Sequence, residues 1–321
     1  MKKLNKEIVV FFHDGTLNGK AGAYAACKVH QHAAHYEGID YANLDRFHEF
    51  DLTGKTVYVI GLSIARKHID TVIYSAEKLV FIDHHPSTKH LCDNLSKKDR
   101  ENVTLIYSTE RASCCLAWSH FVGDEPVPQL FLAIEDVTMN KGSAGRVPNS
   151  NYICMGLSVY GDFISMTSFF QTNLARSKNS ESVAKLISEG HHYFKFMESL
   201  VKSYISRCDY FELLDMQVPV LNIPKTFADS CLEPLCEKAG MAISYVDSGQ
   251  KRFWSVRTSR RSRLDAGKIS MLMEGGGSLN VGGFTTTTKV VPDDLNSIIK
   301  NRMSKSVNIG NDLRIPEETN E

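Results

Sequence analysis

Short apolar runs alternate with longer segments in which apolar residues recur every three or four positions, and this pattern fills the first half of the chain. The runs are residues 8–12, 56–62, 79–83 and 103–107. Each is short and rich in Val, Ile, Leu or Phe, which favours a buried strand. The segments between them, such as residues 67–76, have helical spacing. Strands that alternate with helices predict an α/β domain with a largely parallel sheet.

The second half has a different order of elements. Residues 152–214 have helical periodicity, and strand-like runs return at 218–223, 242–246 and 252–258. We predict a helix at 226–239, a hairpin joining the last two runs, a basic turn with four arginines at 257–263, and a helix at 265–273. The 321 residues are enough for two domains. The predicted divisions are a first domain at 1–150, a helical connector at 151–214, a smaller α/β domain at 215–300 and a polar tail at 301–321.

Charge and cysteine content restrict the class of function. Acidic and basic residues balance, with 37 of each, so the chain lacks the broad positive field of proteins that bind long duplex DNA. The eight cysteines form no CxxC pair and lie mostly in apolar segments, as expected of reduced thiols in a cytoplasmic protein. No apolar run is long enough to cross a membrane, so we expect no membrane partner. A compact ligand or a local basic groove is expected.

The segment LVFIDHHPSTK, residues 79–89, places Asp83, His84 and His85 directly after an apolar run. A parallel sheet presents such side chains at the carboxyl ends of its strands, where ligands bind. A polar strand end that enters a turn at Pro86 is the alternative, and it would suffice for a single histidine. Three adjacent ligand-type residues predict a metal or acid–base site. By contrast, we expect the histidines of residues 29–52 and the pair His191 and His192 to be surface residues of helices and loops.

Several segments, in order along the chain, resemble those of the DHH phosphoesterase superfamily, named for the Asp-His-His found here at Asp83. The superfamily contains RecJ-type exonucleases, phosphodiesterases for small oligonucleotides and cyclic dinucleotides, and exopolyphosphatases. In the first domain the matching residues are His13 before a Gly-containing turn and an Ala-rich helix, then Asp83, His84, His85, Ser113 and Asp136. In the second domain they are Ser255, Val256, Arg257, Gly275, Gly276, Gly277, Asn280, Gly283 and Phe284.

The resemblance implies a two-domain fold with a helical connector and a site in the cleft between the domains. It assigns catalysis to Asp83, His84 and His85, and a Mn²⁺ or Mg²⁺ site to His13, Asp83, His84 and Asp136. It assigns phosphate binding to Arg257, Gly275, Gly276, Gly277 and Asn280 of the DHHA1-type second domain.

Three positions depart from the superfamily pattern. Asn18 and Gly61 stand where the superfamily has metal-binding aspartates, and Ser278 replaces a phosphate-contacting histidine. Asn offers a neutral oxygen and Gly no ligand, which weakens a two-ion centre, so one ion or none is expected. Asp14 could compensate, although an Asx turn explains it as well. The sequence therefore favours a protein that binds a nucleotide or short oligonucleotide with reduced or lost catalysis. The alternative is an active Mn²⁺- or Mg²⁺-dependent phosphodiesterase with a rearranged site, and a homodimer is left open.

Overall fold

The computed structural model describes residues 1–141, 144–174, 180–259, 261–262 and 264–305. The chain divides into two compact units, Met1–Phe194 and Lys195–Glu321, the second described as far as residue 305. Arg260 and Arg263 of the predicted basic turn and residues 306–321 of the predicted tail lie outside the described residues. Each unit contains its own sheet, which confirms the mixed α/β class with a parallel sheet in the N-terminal part.

A five-stranded parallel sheet forms the centre of the first unit. Strands β1 to β7 are Lys2–Lys3, Ile8–His13, Ala34–Ile39, Phe50–Asp51, Thr56–Ile60, Lys78–Asp83 and Val103–Tyr107. The sheet has the order β3-β2-β5-β6-β7, and β1 pairs with β4 in a small separate ribbon. Because all five strands run parallel, their carboxyl ends lie at one edge, where the polar residues that follow β2, β5 and β6 meet.

Nine helices connect and follow these strands in the described residues. Helices α1 to α9 are Leu17–His30, Arg66–Ser75, Pro86–Asp93, Lys97–Arg100, Ser113–Phe121, Gln129–Thr138, Ser150–Leu157, Phe163–Asn173 and Ser180–Ile205. The hydroxyl of Thr16 caps α1 by accepting a hydrogen bond from the backbone N of Gly19 at 3.1 Å. A Cβ at Gly19 would lie 2.2 Å from the carbonyl oxygen of His13, so only glycine allows α1 to start this close to the end of β2.

Both faces of the parallel sheet are buried. Val10, Phe12 and Ile60 face one core, to which α1, α5, α6, α7 and α8 contribute. Val9 and Phe11 face the opposite core, which is completed by α2 and α3. Burial on both faces explains why these strands are almost continuously apolar. Because residues of α7, α8 and the first part of α9 lie in the first core, α7, α8 and the part of α9 that ends at Phe194 belong to the first unit.

The second unit is built on a six-stranded sheet. Strands β8 to β13 are Asp209–Leu213, Met216–Asn222, Met241–Ser248, Lys251–Thr258, Gly276–Ser278 and Val281–Thr287. Helices α10 to α12 are Ala228–Ala239, Ala266–Leu272 and Pro292–Lys305. The sheet order is β12-β13-β11-β10-β9-β8, and only the β9–β10 pair is parallel among these described strands. The predicted hairpin at 242–258 is present as β10 and β11.

Two sequence-based expectations about elements were wrong. His35 was expected in a helix or loop but lies in β3, an edge strand whose mostly half-buried side chains give no strong alternation. Residues 209–213, expected to continue the helical connector, form β8, because the helical spacing ends with α9 at Ile205. Among the described residues, no helix combines the length and apolar character needed to cross a bilayer.

Candidate functional site

Three neighbouring strand ends assemble the candidate site of the first unit. Strand β2 ends at His13, Gly61 follows β5, and β6 ends at Asp83. The backbone N of Gly61 donates to the carbonyl oxygen of Ile82 at 3.0 Å, which continues the ladder to the edge. Asp83, His84 and His85 therefore stand at the carboxyl end of a buried strand, as the sequence pattern predicts.

The carboxylate of Asp83 is enclosed by protein donors and is only 1% exposed. Oδ1 accepts hydrogen bonds from the backbone N of His84 at 2.8 Å, from Nδ1 of His85 at 2.7 Å and from Oγ of Ser113 at 3.2 Å. Oδ2 accepts one from the hydroxyl of Thr88. Burial raises the pKa of Asp83, but the hydrogen bond and charge of His85, together with the other donors, hold this pKa below its ordinary value. Asp83 is therefore ionised at neutral pH.

The two histidine rings after Asp83 are each held through one nitrogen. Nδ1 of His84 lies 2.8 Å from Oγ of Ser113, and Nδ1 of His85 bonds to Asp83. Among the described residues, neither Nε2 atom has a hydrogen-bond partner. Burial lowers the pKa of His84, whereas the hydrogen bond to Asp83 raises the pKa of His85. The ring of His84 is thus neutral at pH 7, the form that ligates a metal.

A cavity of about 390 Å³ adjoins these rings. His13, Asn18, Tyr41, His84 and His85 line its polar wall, while Leu17, Ile134 and Val137 are among the residues of its apolar wall. The Nε2 atom of His13 lies 3.5 Å from Oδ1 of Asp40, and its ring stands edge-on to that of Tyr41 at 4.9 Å. Burial lowers the pKa of His13, although Asp40 acts in the opposite direction. Three imidazoles therefore border one cavity.

Asn18 and Gly61, the two positions that lack the expected aspartates, are neighbours of Ser113. Oδ1 of buried Asn18 accepts a hydrogen bond from the backbone N of Cys114 at 2.8 Å, which ties α1 to the first turn of α5. A Cβ at Gly61 would lie 3.4 Å from Nδ2 of Asn18 and 3.4 Å from Cβ of Ser113. Gly61 has φ +63, a conformation that favours glycine. Asn18 thus has a structural role, and a side chain at Gly61 would enter the site.

Asp136 belongs to a different set of contacts. Its Oδ2 accepts hydrogen bonds from the backbone N of Val147 at 2.8 Å and from Oγ of Ser150 at 3.3 Å. It therefore holds the loop that leads into α7. Oδ1 is buried and lacks a hydrogen-bond partner in the described residues. The structure does not bring Asp136 into the compact group formed by Asp83, His84 and His85.

Three side chains of the first unit form a group that could hold a metal ion. One ligand atom from each of Asp83, His84 and His85 lies within 4.8 Å of the others, and the described residues contain no second group of three or more such side chains. Metal-ligating histidines usually donate their other ring nitrogen to a carboxylate or another oxygen, as both rings do here. In this arrangement Asp83 orients His85, and these hydrogen bonds use Nδ1 of each ring and not Nε2. Sequence reasoning did not identify Thr88 or Tyr41, because neither occurs in a recognisable motif.

In the second unit, Arg257 is paired with an acid. Its guanidinium donates to the carboxylate of Asp229 on α10 and, at 3.0 Å, to the carbonyl oxygen of Val256. The Arg257 side chain is 17% exposed and that of Asp229 is 78% exposed. No sequence pattern indicates this pair, because the two residues are 28 positions apart.

The glycine-rich segment of the second unit is a tight hairpin. Gly276 and Gly277 pair with β13, and a Cβ at Gly275 would lie 2.1 Å from the carbonyl oxygen of Gly283. A Cβ at Gly277 would lie 2.2 Å from the carbonyl oxygen of Val281, so backbone packing alone requires these two glycines. Nδ2 of Asn280 donates to the carbonyl oxygen of Thr258 at 3.1 Å. A Cβ at Gly276 would meet no heavy atom within 4 Å, and Ser278 is exposed.

No family model matches the sequence, and no curated protein matches it. Solved structures that match include the pGpG-specific phosphodiesterase PggH from Vibrio cholerae, at 13% identity and a TM-score of 0.49, over 94% of this chain and 99% of PggH. RecJ from Thermus thermophilus in complex with Mn²⁺ matches at 13% identity and a TM-score of 0.49, over 92% of this chain and 51% of RecJ. The Mg²⁺ complex of RecJ gives 14% identity and a TM-score of 0.42, over 92% and 48%. This chain thus spans about half the length of RecJ. PggH and RecJ are both members of the DHH superfamily.

Proposed function

We propose that the chain is a DHH-type phosphoesterase-like protein that binds nucleotide phosphates or short oligonucleotides, including cyclic ones, with weak or no hydrolysis. The observation that carries this proposal is the state of Asp83. Its two oxygens accept hydrogen bonds from four protein groups. A carboxylate in this state orients the side chains around it and has little capacity left to bridge two cations.

The charge of the site supports the same conclusion. Two divalent cations about 4 Å apart, the usual spacing of a two-ion site, repel each other strongly and need several carboxylates between and around them. Asn18 and Gly61 supply no negative charge, and Asp136, whose Oδ2 is bonded to Val147 and Ser150, is not part of the compact ligand group. Asp83 is then the one carboxylate in the compact group of ligand atoms among the described residues. We therefore propose at most one bound cation.

That cation would be held by ring nitrogens of His84 and His85, with His13 on the same cavity. Imidazoles suit transition metals better than Mg²⁺, which prefers oxygen ligands, so we propose Mn²⁺ over Mg²⁺. A bound Mn²⁺ would neutralise charge on a phosphoryl oxygen. Leu17, Ile134 and Val137 give the cavity an apolar wall suited to the uncharged part of a ligand.

Phosphate binding by the second unit is proposed at Arg257. A phosphate that reaches its guanidinium has to displace the carboxylate of Asp229, which is exposed enough to turn into solvent. Gly276 leaves open space beside its backbone, which would allow close approach of an anion. The domain divisions, the cytoplasmic location and the homodimer stay predictions.

The alternative function is one-cation phosphodiester hydrolysis. The observation that favours it is the presence of three imidazoles around one cavity, because burial keeps His13 and His84 neutral and able to accept a proton from water. In this case Asp83 would hold His85 in position during the reaction.

Both functions can be separated with the dinucleotide pApA. Binding and hydrolysis would be measured with and without Mn²⁺, on the natural chain and on His84→Ala. The proposed function predicts binding with little or no turnover. Turnover that requires Mn²⁺ and is lost in His84→Ala would favour the alternative. A chain that neither binds nor hydrolyses pApA would contradict both.

A further inference from the structure

A fully buried acid outside the histidine group is surrounded by three basic side chains. Glu135 on α6 is 0% exposed. Its Oε2 lies 2.8 Å from Nε of Arg111 and accepts a hydrogen bond from the backbone N of Ala112 at 3.0 Å. Its Oε1 lies 3.3 Å from Nζ of Lys141 and also contacts the guanidinium of Arg146. We call Arg111, Lys141 and Arg146 the basic cluster.

The basic cluster has more positive charge than its acid can balance. A buried carboxylate needs a cationic partner and hydrogen bonds, and Arg111 with the N–H of Ala112 already provides both. Lys141 and Arg146 therefore leave a surplus of two positive charges. Among the described ion pairs, Glu135 is the only acid within 4.0 Å of any of the three. Like charges held this close repel each other, and an additional anion would relieve that repulsion.

The three cations are accessible to a ligand although their shared acid is not. Their side chains are 33%, 23% and 46% exposed for Arg111, Lys141 and Arg146 respectively, so part of each side chain is in contact with solvent. Two guanidinium groups and one ammonium offer the forked and point-like donors that bind phosphate oxygens. The surplus charge is therefore available at the surface.

The basic cluster lies on chain segments that neighbour those of the histidine site. Asp83 pairs with Tyr107 at the end of β7, so Arg111, four residues later, follows the same edge of the sheet. Ala112 directly precedes Ser113, whose hydroxyl bonds to Asp83 and lies 2.8 Å from His84. Lys141 and Arg146 follow α6, the helix whose Ile134 and Val137 line the cavity. The basic cluster and the cavity are therefore formed by neighbouring segments of the chain.

We propose that Arg111, Lys141 and Arg146 form an anion-binding subsite in the first unit that takes a phosphate group. This subsite rests on the proposed function and deepens it. It assigns the bound phosphate group to a nucleotide that has a second phosphate near the histidine site. The subsite is distinct from the phosphate contact proposed at Arg257.

Titration calorimetry with pyrophosphate on the full chain, without added metal, tests this subsite. Arg146→Gln and Lys141→Gln each leave Glu135 with Arg111 and the N–H of Ala112. Each should weaken pyrophosphate binding by about tenfold, the scale of one charge-assisted hydrogen bond, and binding should weaken as salt is added. The matched control is Arg66→Gln, because Arg66 is 39% exposed but already paired with both Asp70 and Asp99.

Unchanged affinity in both Arg146→Gln and Lys141→Gln would overturn the subsite, as would an equal loss in Arg66→Gln. A loss in Arg257→Gln without any loss in Arg146→Gln would assign the anion to the second unit and also overturn it. The metal proposal is tested separately with Asp83→Asn. This variant should bind Mn²⁺ more weakly while its pyrophosphate binding at the basic cluster remains, so either proposal can fail without the other.

Discussion

Nδ1 of His85 lies 2.7 Å from Oδ1 of Asp83, so the first residue of the Asp-His-His segment holds the third. The same Oδ1 also accepts hydrogen bonds from His84 and Ser113. The acid is thus the centre of a hydrogen-bonded group rather than a free ligand. This relationship makes the histidine rings, and not the carboxylate, the groups that face the cavity.

Asp83→Asn tests this organising role. Asn keeps the size of the side chain but removes the charge and turns one acceptor into a donor. We expect the free energy of unfolding to fall by about 1–3 kcal/mol, as when buried hydrogen bonds are left unsatisfied. Mn²⁺ affinity should fall at least about tenfold, because His85 is then oriented by a neutral and weaker acceptor. Denaturant unfolding and calorimetry measure the two effects. Asp93→Asn, an exposed acid paired with Lys89, is the control and should change neither.

The Asp83–His85 pair also predicts a pH dependence in the metal-free protein. The pKa of His85 is raised above 6.5, so its pairing stabilises the fold below that pH and the stabilisation is lost as pH rises through the folded pKa. The pKa of Asp83 is lowered below 3.8, so its contribution is present above that pH and lost in acid. The difference in Tm between the natural chain and His85→Ala, measured in EDTA, should therefore shrink above pH 6.5.

His90→Ala is the control for that series, since His90 lies in α3, which begins directly after His85, and is exposed. A Tm difference for His85→Ala that stays constant from acid to alkaline pH would show that the pair does not titrate as described.

Restoring the two missing acids should strengthen metal binding. Asn18→Asp combined with Gly61→Asp places two carboxylates beside Ser113. A Cβ at Gly61 would lie 3.4 Å from Nδ2 of Asn18 and 3.4 Å from Cβ of Ser113. Without metal the variant should be less stable, because it buries like charges. It also places a side chain on a backbone with φ +63, a conformation that costs about 1–2 kcal/mol for residues other than glycine. Mn²⁺ should recover the lost Tm. The control, Asn18→Asp with Gly61→Asn, has the same shape with less charge. An equal gain in Mn²⁺ affinity in this control would contradict the electrostatic explanation.

Asp136 is expected to act on stability rather than on metal binding. Asp136→Ala removes the acceptor for the N–H of Val147 and the hydroxyl of Ser150, which should cost about 1–3 kcal/mol of unfolding free energy. Mn²⁺ affinity should stay within about twofold of the natural chain. A large loss of Mn²⁺ affinity with unchanged stability would instead support the sequence-based assignment of Asp136 as a ligand.

Substitutions of Arg257 and of Asp229 should change nucleotide affinity in opposite directions. Arg257→Ala should weaken nucleotide binding by roughly 1.5–3 kcal/mol, the scale of a hydrogen bond to a charged group. Asp229→Asn should strengthen binding, because the guanidinium no longer has to leave a carboxylate. Glu237→Gln on the same helix is the matched control, as Glu237 is exposed. Weaker binding in Asp229→Asn would place the ligand elsewhere.

The sequence predicted the parts of this molecule that depend on local pattern. The strand that ends at Asp83 is an apolar run followed by polar residues, and both faces of the sheet require such runs. Strand β3 escaped prediction because its pairing with β2, rather than its own side chains, makes it a strand.

Contacts between distant residues could not be predicted. Ser113 meets Asp83 across 30 positions, and Asp229 meets Arg257 across 28. The glycines at 275 and 277 show a further limit. A glycine-rich run indicates close backbone approach, but only the fold shows that the approaching group is the chain's own carbonyl oxygen. The departures at Asn18 and Gly61 were visible in the sequence, whereas the hydrogen bond from Asn18 to α5 was not.

The number of Mn²⁺ ions bound by the purified natural chain decides whether Asp83 is an orienting group or a metal bridge. Titration calorimetry with Mn²⁺, after treatment with EDTA, should give no more than one ion per chain, and His84→Ala should abolish that binding. Two ions per chain in the natural protein would contradict the orienting role, because Asp83 would then have to exchange its protein hydrogen bonds for metal coordination.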